Sequence, residues 1–492
     1  MGRTKVRPIF SYKWNLRNAG HYIFMGKPPF PAIFTANQGC GILQKSEVTG
    51  MKTKFIISAL LNSLLVSFIA NSYVLIKHSP NILYGIVPTF LLISIFAGSL
   101  ILYTGSKRFL ICQHGTVLLY AFYISIVIST VYHILLAVKT LPDDYITLIW
   151  SLAVCIAVNF LIFWNGIICV YLTSSQLGLK WRIIGILCGF IPIANLIALF
   201  FILKTTTDEY GFETNKIQIN KQRKSQKICA TKYPILLVHG VFFRDSKFFN
   251  YWGRIPKELE SNGARVFYGK HSSAASIADS AAELKTRIGE ILAETGAEKL
   301  NIIAHSKGGL DCRYAIAKLG IRDCVASLTT INTPHRGCLF ADYLLTSIPA
   351  DIKDKVANTY NTTLRRLGEA NPDFLAAVND LTDEHCKQLD VEMPPCEGIY
   401  CQSVGSVLTN AAHGNFPLNF SYHLVKYFDG ENDGLVSESS FMWGENYILL
   451  KPRGKRGISH GDMIDLNREN IHGFDVREFY VNLVNDLKNR GL

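Results

Sequence analysis

The stretch KLNIIAHSKGGLDCRYAIAKLG, residues 299–320, decides the fold of the C-terminal half of the chain. Its first part, Lys299–Ser306, is a short aliphatic run of the kind that forms a strand buried on both faces. Its second part, Lys307–Gly320, carries apolar residues at helical spacing and stops at Gly320, a helix C-terminal signal. The two meet at Ala304-His305-Ser306-Lys307-Gly308-Gly309. A serine in a sharp turn from strand to helix has its hydroxyl projected clear of the sheet. Small residues two before and two after it let strand and helix approach closely, and the helix N-terminus favours negative charge developing beside it. Ala304 stands where the pattern G-x-S-x-G has its first glycine, and is small enough to keep that packing. Ser306 is therefore the candidate nucleophile.

Working outward, YPILLVHG (Tyr233–Gly240) is a second aliphatic run, ending in His-Gly. SIADSAAELKTRIGEILAETG (Ser276–Gly296) has helical apolar spacing and ends on glycine, and VASLTTINTP (Val325–Pro334) is a third strand-like run. Strand, helix, strand, helix, strand predicts an α/β domain with a mostly parallel sheet, beginning near Thr231. A serine hydroxyl is a poor nucleophile at neutral pH, so a histidine must take its proton and a carboxylate must orient that histidine.

These segments and two further motifs together resemble the bacterial triacylglycerol lipases of the α/β-hydrolase superfamily. YPILLVHG resembles the strand that leads to the oxyanion loop, AHSKGGLDCRY the nucleophile region, and NTPHRG (Asn332–Gly337) the Thr-Pro-His-x-Gly segment. NDGLVSESS (Asn432–Ser440) resembles the acid loop and SHGDMIDL (Ser459–Leu466) the histidine loop. The resemblance covers roughly residues 231–492 and implies a triad in the order serine, acid, histidine. Ser306, Asp433 and His460 satisfy it. His239, His305 and His335 precede the acid, and His472 is the alternative to His460. Asp429 and Glu431 are rivals of Asp433, which is favoured because it precedes Gly-Leu-Val. The oxyanion hole is expected from the backbone N–H groups of Val241 and Lys307, with the Lys307 side chain in solvent. Asp462, two residues after His460, matches one ligand position of a structural calcium that some members carry. No other ligand position is recognisable, so no cofactor is predicted. A lid is expected after His239-Gly240 or within 338–400, where FADYLLTSIPADI (Phe340–Ile352) is amphipathic.

The N-terminal half follows other rules. Residues 1–54 carry nine Lys/Arg and one acid, whereas residues 230–492 carry 29 Lys/Arg against 32 Asp/Glu. The formal net charge of +12 thus points to basic residues beside membrane spans rather than to nucleic acid. Residues 1–50 read as a basic segment without a fold of its own, possessing no clear period. Five apolar spans follow, at about 55–76, 82–104, 115–138, 146–171 and 183–203, each long enough to cross roughly 30 Å of hydrocarbon. Pro192 is expected to kink the last. His133, Asn159, Asn165 and Asn195 are expected to hydrogen-bond between helices. Residues 206–230 read as a polar tether. With the N-terminus in the cytoplasm, Lys107, Arg108, Lys180 and Arg182 all lie inside, and the C-terminal domain lies outside. The twelve cysteines have no metal-finger spacing. Free buried thiols are expected, with disulfides among Cys386, Cys396 and Cys401 as the alternative.

The sequence thus describes a multi-pass α-helical membrane region (51–205) followed by an α/β-hydrolase domain (231–492). The expected activity is hydrolysis of lipid-like carboxylic esters. The alternatives are acyl transfer by the same triad, or a non-catalytic binding module on a membrane scaffold.

Overall fold

A computed structural model describes residues 21–24, 38–97, 106–141, 144–189, 191–241, 250–366, 372–414, 418–451 and 456–492. Most of the basic segment 1–50, the end of the second expected span and the loop after Val241 lie outside the described residues. The chain divides into two compact units, Ala32–Gln222 and Met1–Pro31 with Arg223–Leu492.

The first unit is helical. Among the described residues three helices hold stretches long and apolar enough to cross a membrane: Thr53–Ala70, Lys107–Thr140 and Tyr145–Thr173. Many of their large apolar side chains, such as Leu64, Leu135 and Ile156, face outward, while Ser67, Ser125, Ser129, Ser151 and Asn159 are buried beside apolar residues such as Leu118 and Ile162. That inversion suits a hydrocarbon solvent, in which helices associate through small and polar residues. A Cβ on Gly115 would stand 2.7 Å from the Gly166 carbonyl, and one on Gly166 2.9 Å from Leu119, so both positions require glycine for Lys107–Thr140 and Tyr145–Thr173 to touch. His133 Nε2 lies 3.0 Å from Ser151 Oγ on the neighbouring helix, and Asn165 donates to the Ser94 carbonyl at 2.7 Å. Asn159 and Asn195 depart from expectation. The first returns to its own helix at Cys155, and the second donates to the Gly189 carbonyl.

Two expectations about segments 183–203 and 206–230 are corrected. Gly178–Cys188 and Pro192–Arg223 are separate helices, and Pro192 opens the second rather than kinking one span. That second helix runs through most of the expected tether. Thr206, Glu209 and Tyr210 are buried on it, and the Glu209 carboxylate accepts from Ser174 Oγ at 2.6 Å and the Ser175 amide at 2.9 Å. Apart from Tyr210 the buried residues there are polar (Thr206, Glu209, Thr214 and Lys216), so they leave no apolar period.

The second unit is built on a seven-stranded sheet: β1 (His21–Phe24), β2 (Ile235–Val238), β3 (Val266–Tyr268), β4 (Leu300–His305), β5 (Val325–Ile331), β6 (Tyr400–Ser406) and β7 (Asn446–Lys451), in the spatial order β1-β7-β6-β5-β4-β2-β3. All neighbours are parallel except β1 with β7. Strand residues alternate between two cores, as a period of two requires. Ile235, Leu237 and Ile303 pack toward Trp252, Tyr480 and Val484. Leu236, Val238 and Ile302 pack toward Leu284, Ile288 and Ala315. Helices Ile255–Ser261 and Val476–Asn489 cover the first face, and Ile277–Thr295 and Lys307–Lys318 the second. Ser276 caps the expected helix and Gly296 ends it in the left-handed region, at φ 66°. β2 leads outward to β3, whereas β4 returns on its other side. The order therefore reverses at the β2–β4 seam, and a crevice outside the carboxyl ends of these strands is where such sheets place ligands. Cys386, Cys396 and Cys401 are unpaired thiols.

Ile303 is fully buried in β4, between β2 and β5. Ile303→Ala should cost about 2–5 kcal/mol, read as an earlier unfolding midpoint by near-UV circular dichroism.

Candidate active site

Register fixes what meets at the seam. Val238 pairs with Ala304, and His305 with Ile331, so the chain leaves β2, β4 and β5 at one level. Ser306 is the first residue past β4 and sits at φ 56°, ψ −134°, a region that residues other than glycine rarely adopt. Such a conformation costs roughly 1–3 kcal/mol. Three hydrogen bonds hold it: the Ser306 amide donates to the Ile331 carbonyl (2.9 Å), and the Ser306 carbonyl accepts from Thr333 Oγ1 (2.8 Å) and the Gly309 amide (3.1 Å). Side chains at Gly308 and Gly309 would strike the His239 carbonyl and Thr333. Ala304 is fully buried and fits where glycine was the pattern.

Asp433 lies between β6 and β7, and His460 follows β7. The structure joins them: His460 Nδ1 lies 2.6 Å from Asp433 Oδ2, and the His460 amide donates to the Asp433 carbonyl at 2.9 Å. Asp433 is fully buried. Its Oδ1 accepts the amides of Leu435 (2.9 Å) and Val436 (2.8 Å), and its Oδ2 accepts Asn332 Nδ2 at 2.6 Å. With Nδ1–H given to the carboxylate, His460 presents Nε2 as the acceptor. The rivals lie elsewhere. Glu431 is exposed and pairs with Lys451, Asp429 is half-buried, and His472 is exposed in the turn between Ile471 and Phe474.

The neighbour of Ser306 in the chain lies against this pair. The His305 ring centroid is 4.4 Å from that of His460. Among the described residues no hydrogen bond joins Ser306 to His460, and such bonds commonly tighten only around substrate. Burial and the neighbouring His460 hold His305 well below the usual imidazole range, so it is neutral. Tyr251 bridges its Nδ1 (2.7 Å) and the Gly240 amide (3.0 Å). A Cβ on Gly240 would stand 2.6 Å from the Ser306 Cβ, so only glycine lets the loop after β2 lie against the serine. Since Tyr251 occupies the Gly240 amide, the next N–H of that loop is Val241's. The amide of Lys307 opens helix Lys307–Lys318 beside Ser306. Asn332 and Tyr251 escaped sequence reasoning, and His305 was considered only as a histidine that precedes the acid. The NTPHRG motif contains Asn332 and AHSKGG contains His305, whereas no motif signals Tyr251.

The Lys307 side chain corrects an expectation. It is 1% exposed, and its Nζ donates to Asp311 at 2.7 Å and Ser280 at 3.0 Å. Helix geometry places i and i+4 on one face, and here that face is turned into the protein. The residue at the expected calcium position is engaged locally. Asp462 accepts Arg456 Nη1 at 2.7 Å, Arg456 Nη2 at 3.1 Å and the Ser459 amide at 2.8 Å. The guanidinium satisfies both carboxylate oxygens, so these residues do not fit a divalent cation. Among the described residues no group of three or more His, Cys, Asp or Glu side chains could hold a metal.

A parallel sheet with a strand–serine–helix turn at its order reversal, and an acid and a histidine joined at the same sheet edge, defines an α/β-hydrolase. No protein-family model matches the chain. Over 167 residues it is 39% identical to a triacylglycerol lipase of Pseudarthrobacter phenanthrenivorans, covering 31% of this chain and 51% of the lipase. The match thus spans about half the length of that relative. Over 297 residues it is 30% identical to a triacylglycerol lipase of Vibrio cholerae, covering 54% of this chain and 91% of the lipase. Among solved structures, a mature lipase of Bacillus licheniformis is 22% identical with a TM-score of 0.38, covering 52% of this chain and 92% of that one. The chain belongs to the triacylglycerol lipase family.

Two outcomes follow from the histidine loop. Dialysis against a chelator should leave the melting temperature unchanged, whereas Arg456→Ala should lower stability by roughly 1–3 kcal/mol by stranding the Asp462 carboxylate. Differential scanning calorimetry measures both.

Proposed function

We propose that the protein is a membrane-anchored serine ester hydrolase that cleaves carboxylic esters of lipids, of the triacylglycerol type, through an acyl-enzyme. The hydrogen bond of His460 to Asp433 at the sheet edge that carries the Ser306 turn is the observation that carries this reading. Ser306 Oγ attacks the ester carbonyl as His460 Nε2 takes its proton, and Asp433 stabilises the imidazolium. The oxyanion rests on the amides of Val241 and Lys307, aided by the helix N-terminus. His460 returns the proton to the leaving alcohol, and water, activated by the same histidine, releases the acid. No step calls for a metal or cofactor.

An exposed apolar surface beside the site supports a lipid substrate. Helix Leu418–Asp429 begins against the glycines of the acid and histidine loops, Gly434 and Gly461, and bears Phe420 and Tyr427, both more than three-quarters exposed. Tyr343, on helix Leu339–Ser347, packs its ring 5.0 Å from Phe428 and is itself partly exposed, as is Leu339. Contiguous exposed apolar surface of this kind marks binding to apolar partners. Helices Leu339–Ser347 and Ala350–Arg366, broken at Pro349, occupy the segment proposed as a lid.

Anchoring is supported by the three long apolar helices, with Leu83–Phe96 and the pair broken before Pro192 completing the five proposed crossings. Five crossings with a cytoplasmic N-terminus put the hydrolase unit outside, and the basic residues at 107–108 and 180–182 inside.

The test is labelling by a fluorophosphonate together with hydrolysis of short- and long-chain esters. Ser306→Ala should abolish labelling and lower turnover by roughly 10⁴–10⁶-fold, and Asp433→Asn by about 10⁴-fold. Long-chain preference is expected. Transfer to an added alcohol in place of hydrolysis would reassign the protein as an acyltransferase. A folded protein that neither labels nor turns over would overturn the reading.

A further inference from the structure

Directly beneath the turn lies a cluster that the reaction above does not use. Lys307, Asp311, His271, His239 and Ser280 are each 1% exposed or less. Lys307 Nζ donates to Asp311 Oδ1, one helical turn on, and to Ser280 Oγ on the adjoining helix Ile277–Thr295. The other Asp311 oxygen, Oδ2, faces His271 Nε2 at 3.6 Å. The His271 ring stacks on His239, with centroids 4.0 Å apart and planes 11° from parallel. His239 is the first residue past β2, and its Nδ1 lies 3.0 Å from the Gly240 carbonyl. Gly308 packs directly under the His239 carbonyl.

Burying an ammonium and a carboxylate costs more than filling the same space with apolar side chains, and a buried pair is a weak source of stability. What this cluster supplies is a connection. One end is the side chain of Lys307, whose own amide is one proposed oxyanion donor. The other is His239, two residues before Val241, whose amide is the second. We propose that the buried Lys307–Asp311 pair, relayed through His271 and His239, is a positioning element that sets the two oxyanion donors against each other. The inference rests on Ser306 being the nucleophile. The pair touches no substrate. It fixes the first turn of helix Lys307–Lys318 to the loop after β2, so that both N–H groups converge before the oxyanion forms. Preorganisation of this kind acts on the transition state and leaves ground-state binding unchanged.

The experiment uses the full-length protein in detergent, with a soluble p-nitrophenyl butyrate substrate, fluorophosphonate labelling rates and melting temperatures. Two variants are compared with the parent: Asp311→Asn, which keeps the shape and removes the charge, and the double variant Lys307→Met/Asp311→Leu, which replaces the pair with apolar side chains. Complete loss of one oxyanion donor costs about 10²–10³-fold. Displacement of donors that remain in place should therefore lower kcat and the labelling rate by roughly 10–100-fold, with KM within about twofold of the parent. The melting temperature of the double variant should equal or exceed the parent's. If either folded variant keeps parental kcat and labelling rate, the pair only fills space and the inference fails. Ser306→Ala separates this from the underlying reading: turnover surviving in that variant sinks the assignment of the nucleophile itself.

Discussion

At Ser306 the backbone turns from strand into helix at φ 56°, ψ −134°, and segments from distant parts of the chain hold it there. Its strain, roughly 1–3 kcal/mol, is of the same size as three hydrogen bonds at about 1 kcal/mol each. Those three bonds come from β5, Thr333 and the first turn of the following helix. The balance is close, so the turn depends on the packing that aligns these partners. Gly308 and Gly309 let the helix close onto the His239 carbonyl and Thr333, and Gly240 lets the loop after β2 lie on the serine. Parallel pairing of β2, β4 and β5 in one register brings these segments level. The sheet order is therefore a condition of the turn as well as its support.

The same economy governs the charges around it. Asp433 is fully buried, an expensive place for a carboxylate unless its lone pairs are filled. Two backbone amides of its own loop occupy one oxygen, while Asn332 and His460 share the other. A carboxylate held this way keeps one orientation, and His460 inherits it. Burial raises Asp311 to about 6 while Lys307 pulls the other way. Burial and His271 hold His239 well below the usual imidazole range. The stack of His271 on His239 therefore sets a neutral ring against the side of the cluster that faces the loop.

The parts of this site legible in the sequence are those coded by neighbours in the chain. The strand–Ser306–helix turn and the helix from Ile277 to its glycine cap are readable because each lies in a short stretch with its own local constraint, and Asp433 and His460 through the resemblance of their loops to the lipase family. The partners that come from elsewhere in the fold were not. Asn332 reaches Asp433 across 101 positions and Tyr251 reaches His305 across 54, distances at which no local period carries information. Lys307 misled for a related reason: charge predicts exposure only when no partner lies on the same buried face, and Asp311 does. Residues 206–223 misled in the opposite sense, since a helix whose buried side is Thr206, Glu209 and Tyr210 offers no apolar stripe.

Pattern reading assumes that apolar means inside, and this chain obeys that rule in one unit and keeps it only in part in the other. In the sheet unit Leu236, Ile302 and Leu328 are fully buried. In the helical unit Ile134, Leu135 and Val138 face outward while Ser125 and Ser151 are fully buried. The composition of 49% hydrophobic residues averages over both and describes neither. Helix Pro192–Arg223 carries the change of rule along its own length: Ile193 and Ile197 near its start are exposed, and Glu209 seventeen residues on from Pro192 is buried and hydrogen-bonded. An apolar side chain facing outward at one end and a carboxylate facing inward at the other are the same physical statement. Along this helix apolar side chains are exposed first, and polar ones are buried afterwards.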